Sequence, residues 1–479
     1  MGPTLGNRTK SLKYIHLIII LAFMFGFQFL PPIGTISPLG MKTLGVFFGV
    51  IYGWSTMDMI WPSLLGLFAL SLSTGEGAIE TFKAGFGDRI TVAIFLFLLF
   101  GELVSQVGLS NYIADWCVRR KFVRGKPYGI LAMFCLAGAF ISAFVNVFAG
   151  MIIMWGIFYS FCHDANLRPG DPYARVALIA IIFVCTMAGN LLPFMGSSIL
   201  VVGLQQQILG IDMPYVTFTI MQLFMIVLAS VFYFIFIKFV VKPDTTVIES
   251  YVPNDKQLVM TSQQKLVFAL LVGLLVVLFL PGLLPADLTI TKALKGLDIS
   301  GLLAIVFVLY YVINLTNGKA VPFNKIAEGV NWNLILMFAT VAPLTTAISN
   351  EEAGIMAYVS ALLKSFVSDM NPIVFTLIIL LIASIITQFC NNVAIVLVTV
   401  PLMYSFAVEL GANPVLISIL VAFNLNVAFC TPAASGPAAM VFSNKEFIGQ
   451  KAAFTHGLVI FVINMVVTVI GLYVGLLFV

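Results

Sequence analysis

The sequence predicts an all-α polytopic membrane protein of about eleven transmembrane helices plus two re-entrant hairpins, arranged as an inverted repeat. Three observations carry that prediction. Of the 479 residues, 61% are hydrophobic and 9% charged, against roughly 25% charged in a soluble domain. Apolar runs of about 20 residues, the length that crosses a ~30 Å hydrocarbon layer, recur from Leu17 to the C-terminus. Two further runs are too long for one crossing and too apolar for a loop.

Taken in order, spans are expected near 14–30, 39–53, 56–73 and 90–108. A basic segment around Arg8, Lys10 and Lys13 precedes the first span. No small-residue cleavage site precedes Pro31 and Pro32, so that span is expected to be retained. The polar stretch from Asn111 to Lys126 carries Arg119, Arg120, Lys121 and Arg124, and reads as cytoplasmic. The run 127–162 returns to a second polar segment, His163–Arg175, so it is expected to be a hairpin with both ends on one side. Spans near 176–209, 217–241, 266–285, 299–315 and 332–350 follow, then a second hairpin at 371–410, and spans near 414–443 and 453–478. Residues 242–265, with Asp244, Glu249, Asp255 and Lys256, form an expected cytoplasmic linker between halves 1–241 and 266–479.

Lys and Arg accumulate in cytoplasmic loops. With the N-terminus inside and the C-terminus outside, Lys42, Lys83, Arg89, Lys292, Lys295 and Lys364 lie outside, and the other 18 of the 24 Lys and Arg lie inside. Turning either hairpin into a crossing would invert every later loop and degrade this bias. An ungapped offset of 246 superposes Gly108 on Gly354, Tyr112 on Tyr358 and Asn146 on Asn392. Each half also keeps the same order of span, connector, hairpin and broken span. In this topology the two copies point in opposite directions.

Several functions are excluded or left without support. Cys117, Cys135, Cys162, Cys185, Cys390 and Cys430 form no close pair, which argues against a metal site or disulfide framework. His16, His163 and His456 lie near expected span ends, where an interfacial role is expected. No HExxH or nucleophile constellation marks an enzyme, and no nucleic-acid partner is expected.

Four polar interruptions fall within apolar segments: Ser142 to Asn146, Asn190 to Ser198, Gln388 to Asn392, and Asn424 to Ser435. Singly, an Asn or Ser in a span often only hydrogen-bonds to a neighbouring helix. Non-helical backbone at membrane depth persists only where protein buries it or a cavity solvates it, so the four are expected to meet in one polar centre. The tip Phe144 to Val147 and the break Gly189 to Ser198 together offer an amide, carbonyls and two hydroxyls, a set that suits a sodium ion or a carboxylate edge. Thr431, Pro432 and Ser435 offer the same kinds of group, and Pro437 is placed as the first helical residue after a Ser435 cap, where backbone N–H groups attract an anion. Glu102, the main acidic residue well inside a span, is either functional or a hydrogen-bonding group near the cytoplasmic end of that span, and Gln205, Gln206 and Gln207 either line a pathway or approach the outer interface.

With these tips and breaks in view, the chain resembles the divalent-anion/sodium symporter family of the ion-transporter superfamily over nearly its whole length. In that family each hairpin tip carries Ser-Asn-Thr and each broken span a turn of the form Gly/Ala-Thr-Pro-Pro-Asn. Here the tip Asn residues are Asn146 and Asn392, and the turns keep Gly196-Ser197-Ser198 and Ser435-Gly436-Pro437. The Ser positions read Val145 and Asn391, and the Thr positions Val147 and Val393. The resemblance implies an elevator-type secondary transporter of small organic anions, of the di- or tricarboxylate class. It also implies a homodimer in the cell membrane, with the early spans and roughly 217–315 as scaffold. The expected substrate-binding residues are Asn146, Asn391, Asn392, Ser197, Ser198, Thr431, Pro432 and Ser435. The expected sodium ligands are Ser142, Asn146, Gly196, Asn392 and Ala434. Sodium is the expected coupling ion, and no other cofactor is expected. A sodium-independent exchanger or a proton-coupled carrier is the alternative suggested by the missing hydroxyls. An ion channel lined by re-entrant loops is a further one.

Overall fold

The computed structural model describes residues 13–118, 125–249, 259–285, 287–316, 318–359, 361, 370–389, 392–432 and 434–478. Among them there is no strand, and eight helices are long and apolar enough to cross a membrane. The first half runs α1 (Lys13–Phe29), α2 (Pro38–Thr56), α3 (Ile60–Thr74), α4 (Ala78–Phe86), α5 (Arg89–Gln106), α6 (Leu109–Val118), α7 (Pro127–Phe144), α8 (Val147–Asp164), α9 (Pro172–Ala188), α10 (Ser198–Leu209) and α11 (Tyr215–Phe236). There follow α12 (Thr246–Glu249), α13 (Ser262–Leu283), α14 (Thr289–Ile313), α15 (Phe323–Glu328), α16 (Trp332–Ser349) and α17 (355–359). The chain ends with α18 (Pro372–Thr387), α19 (Asn392–Leu410), α20 (Pro414–Asn424), α21 (Gly436–Ser443) and α22 (Gln450–Phe478).

Several helices start on one local device, a short polar residue followed by proline. Ser37 precedes Pro38, Asp171 precedes Pro172, Asn371 precedes Pro372, and Asn413 precedes Pro414; each polar side chain accepts a backbone N–H two or three residues on. Proline at the first helical position lacks an N–H that would otherwise be orphaned, and its fixed φ suits the helix. Asp171 thus starts α9 four residues before the apolar run expected at 176.

Other departures have equally local causes. The loop expected between the spans at 56–73 and 90–108 contains α4, an amphipathic helix that buries Thr81 and Gly85 and is too short to register as a span. Thr261 and Gln264 form a reciprocal capping box that starts α13 at Ser262, inside the expected linker. α14 begins at Thr289 instead of 299 and is broken at Asp298, whose φ is 54°. His456, expected at an interface, is buried in α22 with its Nδ1 2.8 Å from the Tyr233 hydroxyl. Glu102 accepts from Gln106 Nε2 at 2.6 Å, which fits the hydrogen-bonding alternative of its two readings.

α7 and α8 form the first helical hairpin, and α18 and α19 the second. After each hairpin comes a short helix, a non-helical break, a second short helix and a long helix, which is the same order of elements in both halves. The short helices α9 and α20 are the core of the molecule. Every residue of α9 from Val176 to Ala188, and of α20 from Leu416 to Asn424, is buried, as befits helices apolar on all sides. α9 packs on both arms of the first hairpin, and α20 on both arms of the second.

The first hairpin tip sits against α5 at a glycine. A Cβ on Gly101 would lie 2.5 Å from the Val145 carbonyl oxygen, so only glycine permits this approach. Gly101→Leu is expected to lower stability by about 1–3 kcal/mol, the usual cost of overpacking. Gly156→Ala, whose Cβ would meet nothing within 4 Å, should cost nothing. Thermal unfolding of the two purified variants in detergent distinguishes these outcomes.

Candidate functional site

Asn146 makes the first tip. Val145 closes α7 and Asn146 caps α8, its Oδ1 accepting from the N–H groups of Phe148 at 2.8 Å and Ala149 at 3.3 Å. Because backbone donors fix the side-chain oxygen, Nδ2 is the end left over, and it has no protein partner among the described residues. Asn392, the first residue of α19, is oriented likewise: its Oδ1 accepts from Thr387 Oγ1 at 2.6 Å, and its Nδ2 is left over among the described residues. Both tips therefore present amide donors.

The first broken helix is held open by Asn190. Its Nδ2 donates to the Thr186 carbonyl at 3.1 Å, and its Oδ1 accepts from Ser197 N at 3.0 Å and Ser197 Oγ at 3.2 Å. Ser198 Oγ returns a bond to the Asn190 carbonyl at 2.9 Å. Gly196, with φ of 54°, turns the chain where a Cβ would strike the Gly189 carbonyl and the Asn190 side chain. An unpaired backbone group here would cost several kcal/mol, and these bonds remove that cost.

The second break is clamped from the hairpin. Gln388 Oε1 accepts from Phe429 N at 3.0 Å and Cys430 N at 3.1 Å, Gln388 Nε2 donates to the Ser384 carbonyl at 3.0 Å, and Thr431 Oγ1 donates to the Gln388 carbonyl at 2.5 Å. Asn424 is fixed by Ser384, by Thr468 at 2.8 Å and by Asn464 at 2.9 Å. Ser435 caps α21, accepting from Ala438 N at 3.1 Å while donating to the Ala428 carbonyl at 2.7 Å. Gly436 is the first residue of α21, so Pro437 stands second and not first as expected. Ser197 Oγ also bonds the Asn426 side chain, joining the two breaks directly.

All four polar segments meet in one cavity of about 260 Å³. Its lining includes Ser142, Asn146, Gly196, Ser197, Asn392, Ala434 and Ser435, as well as Asn190 and Asn426. Ser198, Thr431 and Pro432, expected among the substrate-binding residues, do not line it. Ser198 and Thr431 spend their hydroxyls on the breaks, and the Pro432 ring is exposed. Asn391 lies outside the described residues. Asn190 and Asn426 were missing from the expected set, although each bonds the carbonyl four residues before it in or just beyond a buried half-helix. An amide just past an apolar run that is too short to span was the signal.

No charged side chain lines this cavity among the described residues. Its positive potential comes from backbone instead. Val147, Ser197, Asn392 and Gly436 mark the starts of α8, α10, α19 and α21, and all four line the cavity. Each helix start carries roughly half a positive charge. The carbonyls of Gly196 and Ala434 accept no hydrogen bond among the described residues and are free for a cation. Val147 and Val393 line the wall with methyl groups.

A second cavity, of about 490 Å³, contains Asp88, Arg89 and Asp298, with Arg89 Nε 2.5 Å from Asp298 Oδ2. Phe194 and Ile199 line both cavities and so form the partition between them. Phe194 stacks on Phe97 at 5.2 Å and meets Tyr215 edge-on at 5.8 Å. Gln205 lies outside either cavity, fully buried, with its Oε1 2.6 Å from Ser418 Oγ. Gln206 and Gln207 line the second cavity, and Gln207 bonds Asp88 at 3.2 Å.

Residues 47–422 match the family model described as citrate transporter, CitMHS. The sodium-dependent dicarboxylate transporter SdcS of Staphylococcus saprophyticus is 23% identical over 463 residues, covering 91% of this chain and 86% of that one. The Na(+)/dicarboxylate cotransporter 3 of Rattus norvegicus is 25% identical over 126 residues, covering 26% of this chain and 20% of that one. Among solved structures, the YdaH transporter of Alcanivorax borkumensis superposes with a TM-score of 0.53 at 12% identity, over 84% of this chain and 88% of that one; it shares the fold. The chain belongs to the citrate transporter family and is a multi-pass membrane transporter of the divalent-anion/sodium symporter type, not an enzyme.

Proposed function

We propose that this protein carries a di- or tricarboxylate-class anion together with sodium, by an elevator-type movement of the hairpins and broken helices against the remaining helices. The observation that carries the reading is the cavity, where four helix starts and two amide tips converge with no cationic side chain among the described residues. Neutral dipoles attract an anion but leave its charge uncompensated, and burying that charge unpaired is costly. A co-bound cation on the free Gly196 and Ala434 carbonyls supplies the compensation. Asn146 serves the anion in this arrangement, because its side-chain oxygen is committed to the α8 cap. The names of the sodium-dependent dicarboxylate relatives support the same reading. By family resemblance we put the protein in the cell membrane as a homodimer, and the charge bias of its loops supports a cytoplasmic N-terminus and an outside C-terminus.

One observation favours a second reading. Val147 and Val393 put methyl groups on the cavity wall where the family carries hydroxyls, which suits a sodium-independent anion exchanger.

Uptake of labelled succinate and citrate into proteoliposomes should rise with an inward sodium gradient. Asn146→Ala and Asn392→Ala should each reduce it by about tenfold to a hundredfold, the worth of one hydrogen bond to a charged group. Uptake that needs preloaded anion and ignores sodium establishes the exchanger instead. Gln388→Leu strands the N–H groups of Phe429 and Cys430, and should lower the stability of the purified protein by about 2–6 kcal/mol at 1–3 per orphaned group. An unchanged melting temperature would remove Gln388 from its clamping role.

A further inference from the structure

A cavity larger than the polar one lies elsewhere in the fold. A cavity of about 660 Å³ lies between α7 and α11, floored by Val184, Ala188 and Leu191. Its α7 wall is shallow because Ala132, Ala139 and Ala143 fall on one face of that helix. Its opposite wall, α11 and the π-helical turn Ile237–Val241 that continues it, runs from Leu223 to Lys238, about 22 Å at 1.5 Å per residue. Leu223, Val227, Val231 and Ile235 on that wall are also exposed, so the groove opens sideways to the bilayer.

Apart from its ends the groove is hydrocarbon. Ser230 satisfies its hydroxyl on the Ile226 carbonyl at 2.7 Å. At one end Lys238 Nζ lies 5.9 Å from the Tyr128 ring centroid and 5.5 Å from that of Phe239, and it makes no ion pair among the described residues. Lys126, just before α7, and Lys242, which caps the π-helical turn after α11, are exposed at this same end. The carboxylates that follow Lys242 among the described residues, Asp244 and Glu249, are engaged with Thr246 and Thr245. The start of α7 has no side-chain cap, so its dipole adds to the positive charge there.

We propose that this groove is a binding site for one anionic phospholipid, with an acyl chain lying between α7 and α11 and the headgroup phosphate on Lys238. The occupant follows from the shape and the charge. A 22 Å apolar slot exceeds the ~15 Å depth of one leaflet's hydrocarbon, so it accepts a whole acyl chain laid along the helices. A free cation at its mouth selects a negative headgroup, as juxtamembrane basic residues do. The position gives the lipid a role, because Ala143, Phe144 and Leu191 line the far end of the groove. They adjoin Asn146 and Asn190 in sequence, so the chain terminus sits behind the transport cavity and braces the hairpin tip.

The test is native mass spectrometry of the full-length protein extracted from membranes of mixed phosphatidylglycerol and phosphatidylcholine. The wild type should retain phosphatidylglycerol in preference to phosphatidylcholine. Lys238→Ala, an exposed change, should weaken that retention by about fivefold, the effect of one basic side chain at a membrane surface, and Lys238→Arg should keep it. Ala139→Phe, which fills the groove, should abolish retention while gel filtration stays monodisperse. Equal retention of both lipids, unchanged retention in Lys238→Ala, or displacement by soluble glycerol phosphate would each overturn the proposal.

Discussion

Interrupting a helix inside a membrane exposes backbone groups that lipid cannot satisfy, and the whole centre of this molecule is arranged to meet that constraint. Asn190 satisfies one break through four bonds and Gln388 the other through five contacts made from its side chain and carbonyl. Each clamp consumes polar atoms that would otherwise face the cavity. Among the described residues, the groups left free include amide N–H donors at Asn146 and Asn392, carbonyls at Gly196 and Ala434, and the Ser142 hydroxyl. The division between structural and available groups is the origin of the site's chemistry.

The site also separates charge from chain flexibility. Long cationic side chains would bring their own conformational freedom into the cavity, whereas helix starts are held rigidly by the helices behind them. α9 and α20, buried along almost their whole length, are the rigid backing. A cavity with positive dipoles and free carbonyls side by side suits an anion and a cation bound together better than either alone.

Much of this was legible in the sequence, and what was missed has a physical reason. Apolar runs gave the spans and both hairpins because a bilayer imposes length and polarity on every crossing. Polar interruptions located the polar walls of the cavity, whereas α5 and α16 close it with Ile94, Phe97, Met337 and Phe338, which carry no polar signal. Residue roles within those walls were less legible: Thr431 and Ser198 have the same chemistry as Ser197 and Ser435, and only three-dimensional pairing separates clamps from lining. Asn426 escaped for the converse reason, since its partner Ser197 lies in the other half of the chain. α4 escaped because a nine-residue amphipathic helix carries no span signal. His456 is buried because Tyr233, on a different helix, reaches it.

That both halves build one transport site can be tested by substrate protection. In a cysteine-free background, Ser197→Cys and Ser435→Cys place thiols on opposite halves of the cavity lining. Succinate with sodium should slow maleimide labelling at both positions over the same concentration range, and neither solute alone should match the pair. Labelling that ignores the anion at either position would contradict a single shared site.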